Sequence, residues 1–272
     1  MKIFILILSA ISVFLIARIS IDVQANSAVL TKKSDSSSYS LRKYPHVKQF
    51  YGLTAKEAVK IGLKENIPPA AILAIAGWES GYGQGYVAQI TGNIMSLGAR
   101  KGEPELPPLT LPKNVVKNKI MIDINKAKQL PKGQVVWQKR PPSLKKDYRP
   151  EPYAGTKNNL LYFKKNPKAL KLAYAHVMWD FSSSWVSEKS KVPVFFKASK
   201  DMDKLVKTKG KSVLLDCNVS KKFVKSIGGK PRSFNIRPAW IKHVYKVMDN
   251  AGLCALTQEI YKGKSFKQAW SR

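Results

Sequence analysis

The chain has 272 residues, with 48 Lys and Arg against 17 Asp and Glu and a formal net charge of +31. That balance predicts an anionic partner and strong salt dependence, without naming the polymer. Two cysteines, Cys217 and Cys254, exclude a disulfide-built scaffold, so a hydrophobic core must carry the fold, and the length suits one large domain with embellishments.

Residues 1–25 come first. Lys2 precedes an apolar run from Ile3 to Ala17, and Val23-Gln24-Ala25 supplies a small-x-small pattern. This reads as a secretory signal peptide cut after Ala25. Arg18 closes the apolar run at 15 residues, short of the roughly 20 that span a bilayer; membrane attachment is expected only if the segment stays uncut. Cleavage leaves 247 residues and a charge of +30. Export, to the periplasm or cell envelope, replaces nucleic acid with wall polymers, teichoic acid and lipopolysaccharide as the available polyanions. The lysines scatter along the chain, with no arginine-rich arm and no nucleic-acid motif. An oxidising compartment also permits a Cys217–Cys254 disulfide.

Residues 26–47 are polar and serine-rich and read as a flexible lead-in. Thr54-Ala55-Lys56-Glu57 fits a capping box, with Ala55, Ala58, Val59, Gly62 and Leu63 on one helical face and Asn66 at its end. Pro68-Pro69 opens PPAAILAIAGWES, apolar nearly all round and so predicted to be a central buried helix. From about 101 to 155 helical periodicity stops. Nine of the 16 prolines fall between Pro104 and Pro152, among strand-like pieces such as KIMIDI and QVVWQKR. Helices resume near Thr156, opening at Pro167 and Pro238, with Gly252 as a stop. Residues 256–272 form a tail ending near Trp270, whose docking or packing role is open. The expected architecture is mainly α, split by a small Pro-rich lobe containing β-structure.

One acidic residue interrupts the apolar centre. Glu79 ends the PPAAILAIAGWES segment beside Trp78, and no basic residue lies between Glu65 and Arg100. Burial and the negative end of a helix both disfavour its carboxylate and push its pKa up. A carboxyl kept protonated is what a general acid at a glycosidic oxygen requires. Glycines 81, 83 and 85 would let a substrate approach the backbone, and Tyr82 and Tyr86 offer flat faces to sugar rings.

These residues carry a resemblance. The string WESGYG, followed by GNIMSLGA at residues 92–99, resembles the glucosaminidase-type peptidoglycan hydrolases, the group of bacterial autolysins and the flagellar rod-associated hydrolase. In that family an apolar helix ends in Glu-Ser-Gly-x-Gly, and an Asn-Leu-Phe-Gly-Ile-Lys-like segment follows. The likeness covers residues 48–255 and is strongest from Ile67 to Ala99. It implies a lysozyme-like helical domain, with Glu79 as the general acid cutting β-1,4 bonds after N-acetylglucosamine. YRPEPYAGTKNNLLYFKKNP is similar to the family's tyrosine segment, which makes Tyr153 a catalytic candidate that would position an acetamide or stabilise the transition state. Three departures stand out. Ser96 occupies the family's glycine position, Lys157-Asn158-Asn159 replaces an acidic-serine helix start, and residues Lys101–Arg149 do not follow the family's β-hairpin. That hairpin often supplies a second carboxylate, which here is unassigned.

Asp123, in KIMIDI, and Glu103 and Glu105, in GEPELPP, are the candidates for it. Inversion needs one of them about 6.5–9.5 Å from Glu79, whereas attack by the sugar's own acetamide needs none. Asn93 is a candidate amide contact and Trp137 a candidate ring platform. The histidines, His46, His176 and His243, are dispersed, and neither a metal site nor a cofactor is expected. The expected function is an exported, monomeric endo-β-N-acetylglucosaminidase on peptidoglycan glycan strands, attracted to anionic envelope polymers and not to nucleic acid. A lytic transglycosylase is the nearest rival, and a non-catalytic cationic wall binder the rival from another class.

Overall fold

The computed structural model describes residues 39–98, 110–121, 124–139, 150–151, 154–155, 159 and 161–272. It is mainly helical with a small β part. The helices are α1 (Pro45–Lys64), α2 (Pro69–Ser80), α3 (Tyr86–Thr91), α4 (Ile124–Gln129), α5 (Tyr162–Lys165), α6 (Pro167–Asp180), α7 (Pro193–Lys209), α8 (Cys217–Ile227), α9 (Pro238–Asn250), α10 (Leu253–Tyr261) and α11 (Phe266–Trp270). Strands β1 (Thr110–Asn114), β2 (Lys119–Ile120) and β3 (Val135–Lys139) make one antiparallel sheet in the order β2-β1-β3. Thr110 lies opposite Lys139 and Pro112 opposite Trp137. Among the described residues of the KIMIDI piece, Lys119–Ile120 form a strand.

Proline punctuates this chain. Helices α1, α2, α6, α7 and α9 all carry proline in the first turn, where its missing N–H has no helical partner to lose and its fixed φ suits the turn. The predicted capping box at Thr54 is not a helix start. Thr54 lies inside α1, buried, and its hydroxyl donates to the Phe50 carbonyl at 2.9 Å. The apolar face begins upstream at Val47, Phe50 and Tyr51, all buried, and burying those side chains, at about 1.5–3 kcal/mol each, outweighs a cap worth about 1 kcal/mol.

Helix α2 is the axis of the molecule. Ala70 through Ala76 are fully buried, enclosed by α1, α8, α9 and α10. Both flanks of the described chain close onto this core. Arg42 lies between the rings of Tyr39 and Trp270, at 4.4 and 4.8 Å, and donates to the carbonyls of Ala251 (3.0 Å) and Trp270 (2.6 Å). Trp270 is buried against Tyr51, so the final residues pack into the fold. A disulfide joins Cys217, at the start of α8, to Cys254 in α10. No helix among the described residues is long and apolar enough to cross a membrane.

Candidate active site

The last turn of α2 delivers Glu79 to the wall of a cleft of about 540 Å³. Gly81 takes the left-handed conformation, φ +54°, and ends the helix there, a conformation that favours glycine. Ser80 then gathers the glycine loop. Its hydroxyl donates to the Ala76 carbonyl at 2.6 Å and accepts from the Gly83 N–H, while its carbonyl accepts from the Gly85 N–H at 2.7 Å. A Cβ on Gly83 would lie 2.9 Å from the Tyr174 hydroxyl, and one on Gly85 2.9 Å from the Ser80 carbonyl oxygen. Gly83 and Gly85 thus make room for the protein's own packing, whereas at Gly81 the nearest atom to a Cβ would be the Gly85 nitrogen at 3.9 Å.

One donor holds the Glu79 carboxyl: the Trp240 indole N–H donates to Oε1 at 2.7 Å. Ser96, which lines the same cleft, also favours the ionised form. Trp240 is wedged in place: a Cβ on Gly228 would fall 2.2 Å from its ring, and Phe234 lies 5.5 Å away on centroids. Burial raises the Glu79 pKa from its ordinary value, and Trp240 and Ser96 pull in the opposite direction without cancelling it. The carboxyl therefore keeps its proton to higher pH than an exposed glutamate does.

The rest of the cleft comes from distant segments. Helix α6 widens into a π-turn, Phe181–Trp185, that contributes Trp185. Phe195 comes from α7, Lys191 from the turn before it, and Arg232 and Phe234 from the loop between α8 and α9. Aromatic faces, two cations and one carboxyl thus share a wall. Glu79 is the single carboxylate among the described residues lining it.

The other sequence candidates separate from this centre. Tyr82, at φ +56°, turns its ring towards His46, Phe50 and Tyr51 and lines a second cleft of about 230 Å³, so it does not share the Glu79 cleft. Asn93 is buried and brackets its own loop, donating to the Leu97 carbonyl at 2.8 Å and accepting the Leu97 N–H at 3.1 Å; it shapes the loop that bears Ser96. Trp137 lies on β3 and does not line the Glu79 cleft, while Trp78 stacks on His243 at 4.4 Å. Tyr86 opens α3. Asp123, Glu103, Glu105 and Tyr153 lie outside the described residues. Sequence reasoning missed Trp240, Lys191, Arg232 and Trp185. For Trp240 a signal exists, since it falls four residues before Val244 on the buried stripe of α9. Among the described residues no three His, Cys, Asp or Glu side chains converge as metal ligands.

No protein-family model, no curated protein and no solved structure matches the chain.

Proposed function

We propose that the protein is an exported glycoside hydrolase that cuts the β-1,4 bond after N-acetylglucosamine in peptidoglycan, with Glu79 as general acid. The observation that carries this reading is a carboxyl at the wall of an aromatic cleft that keeps its proton to higher pH than an exposed glutamate does. The Cys217–Cys254 disulfide suits an oxidising compartment, and the charge of +31 suits an anionic wall. In the reaction, Glu79 gives its proton to the glycosidic oxygen as the bond to C1 breaks. Water then replaces the leaving sugar at C1 and returns a proton, either activated by a carboxylate or after the substrate's acetamide oxygen has attacked C1.

Purified protein is incubated with sacculi, and the fragments are reduced with borohydride and read by mass spectrometry. Reduced N-acetylglucosamine ends support the hydrolase. A lytic transglycosylase is favoured by one observation, the single carboxylate among the described residues of the cleft; anhydro-muramic ends would move the protein there. Sedimentation with sacculi and no released fragments would leave a wall-binding protein.

Trp240→Phe tests the role of the indole. Its N–H favours the ionised carboxyl, so removing it raises the Glu79 pKa further. A rate that needs the protonated acid falls as pH rises through that pKa. The descending limb of the pH–rate profile is therefore expected at higher pH in the variant. An unshifted limb would assign it to another group.

A further inference from the structure

Lys191 and Arg232 line the Glu79 cleft, and both side chains are exposed there. Among the described residues neither forms an ion pair. Neither is paired with Glu79, whose titration is set by burial, Trp240 and Ser96. In the same wall the buried Trp185 indole N–H has no hydrogen-bond partner among the described residues. Two charged donors thus share a cleft with no free carboxylate besides the one already held. A donor left unmatched is disfavoured when a ligand excludes water, so the ligand that fits brings acceptors. A ligand that brings negative charge gains most, because hydrogen bonds between ions are the stronger kind.

We propose that the cleft selects glycans in which the sugar beside the cut bond carries a carboxylate-bearing substituent, held by Lys191 and Arg232. This rests on the hydrolase reading and names a feature of its substrate. Neutral polymers of N-acetylglucosamine would fill the aromatic faces and leave both cations unmatched. In wall glycan the carboxylate comes from the lactyl ether itself or from the peptide attached to it.

The test is a binding titration with full-length chain carrying Glu79→Gln. Three soluble probes are compared: a neutral N-acetylglucosamine hexamer, glycan oligomers stripped of peptide with lactyl carboxylates free, and oligomers that keep their peptides. Because the whole protein is cationic, Lys191→Ala/Arg232→Ala is compared with Lys60→Ala/Lys225→Ala, which removes equal charge from exposed positions that do not line the cleft. The expected result is a preference for a charged probe over the neutral hexamer that drops about tenfold in the cleft pair and persists in the other pair. Preference for the stripped oligomers places the lactyl carboxylate at the cations; preference only for peptide-bearing oligomers places the peptide there. Equal binding of neutral and charged probes, no binding of any, or an equal loss in both pairs overturns the proposal. Failure of the hydrolase reading is seen separately, as wild-type protein that releases no reducing ends from any of the three.

Discussion

Glu79→Gln is expected to lower the release of reducing ends from sacculi by about 10²–10⁴-fold, the usual contribution of a positioned general acid. The substitution keeps shape and keeps an oxygen to accept the Trp240 N–H, which sits 2.7 Å from Oε1. What it removes is the transferable proton. Folding should be preserved. Because the Glu79 pKa is raised in the folded state, the acid's contribution to stability is present at low pH and is lost as pH rises through that pKa. A neutral amide escapes that loss, so above neutral pH the variant should melt at or slightly above the wild-type temperature. Activity within a factor of ten of wild type, with the fold intact, would remove Glu79 from the mechanism.

The second large effect concerns stability. Cys217 and Cys254 are separated by 37 residues, with Cα atoms 5.4 Å apart. Closing a loop of that size restricts the unfolded chain by about 4 kcal/mol in the chain-entropy account. Cys217→Ser/Cys254→Ser should therefore lower the melting temperature by roughly 10 °C. Wild-type protein in reductant should fall to the same value, which separates the crosslink from the packing of two serines. The disulfide links the starts of two helices that pack around α2. A melting temperature unchanged to within about 2 °C would show that the crosslink constrains little beyond what the core already fixes.

The sequence made the helices opened at Pro69, Pro167 and Pro238 readable because proline acts locally, through one fixed dihedral and one absent donor, while those opened at Pro45 and Pro193 went unread. It made Glu79 readable for a similar reason: a lone carboxyl ending an apolar run, with no neighbouring base in the chain, has its environment written beside it. Thr54 misled because the local capping pattern was real but weaker than the burial of Val47, Phe50 and Tyr51. Tyr82, held at positive φ, packs its ring against His46, Phe50 and Tyr51, and its place three residues after Glu79 gives no sign of those partners. The partner of Glu79 was invisible for a different reason. Trp240 is 161 residues away, and neither periodicity nor propensity carries information about which distant side chains meet. Lys191 and Arg232 were likewise two among 48 basic residues until the fold placed them in one cleft.

Ser96 holds φ +52°, a conformation that costs a side-chain-bearing residue roughly 1–2 kcal/mol, and from there it favours the ionised form of Glu79. Glycine would sit in that loop without strain and would bring no hydroxyl to the carboxyl. Robustness and acidity are thus opposed at a single position: each change that relaxes the backbone detunes the carboxyl, and each that keeps the tuning keeps the strain. Variants gathered for heat tolerance alone would be drawn to glycine at 96, and they would drift in the pH at which Glu79 gives up its proton.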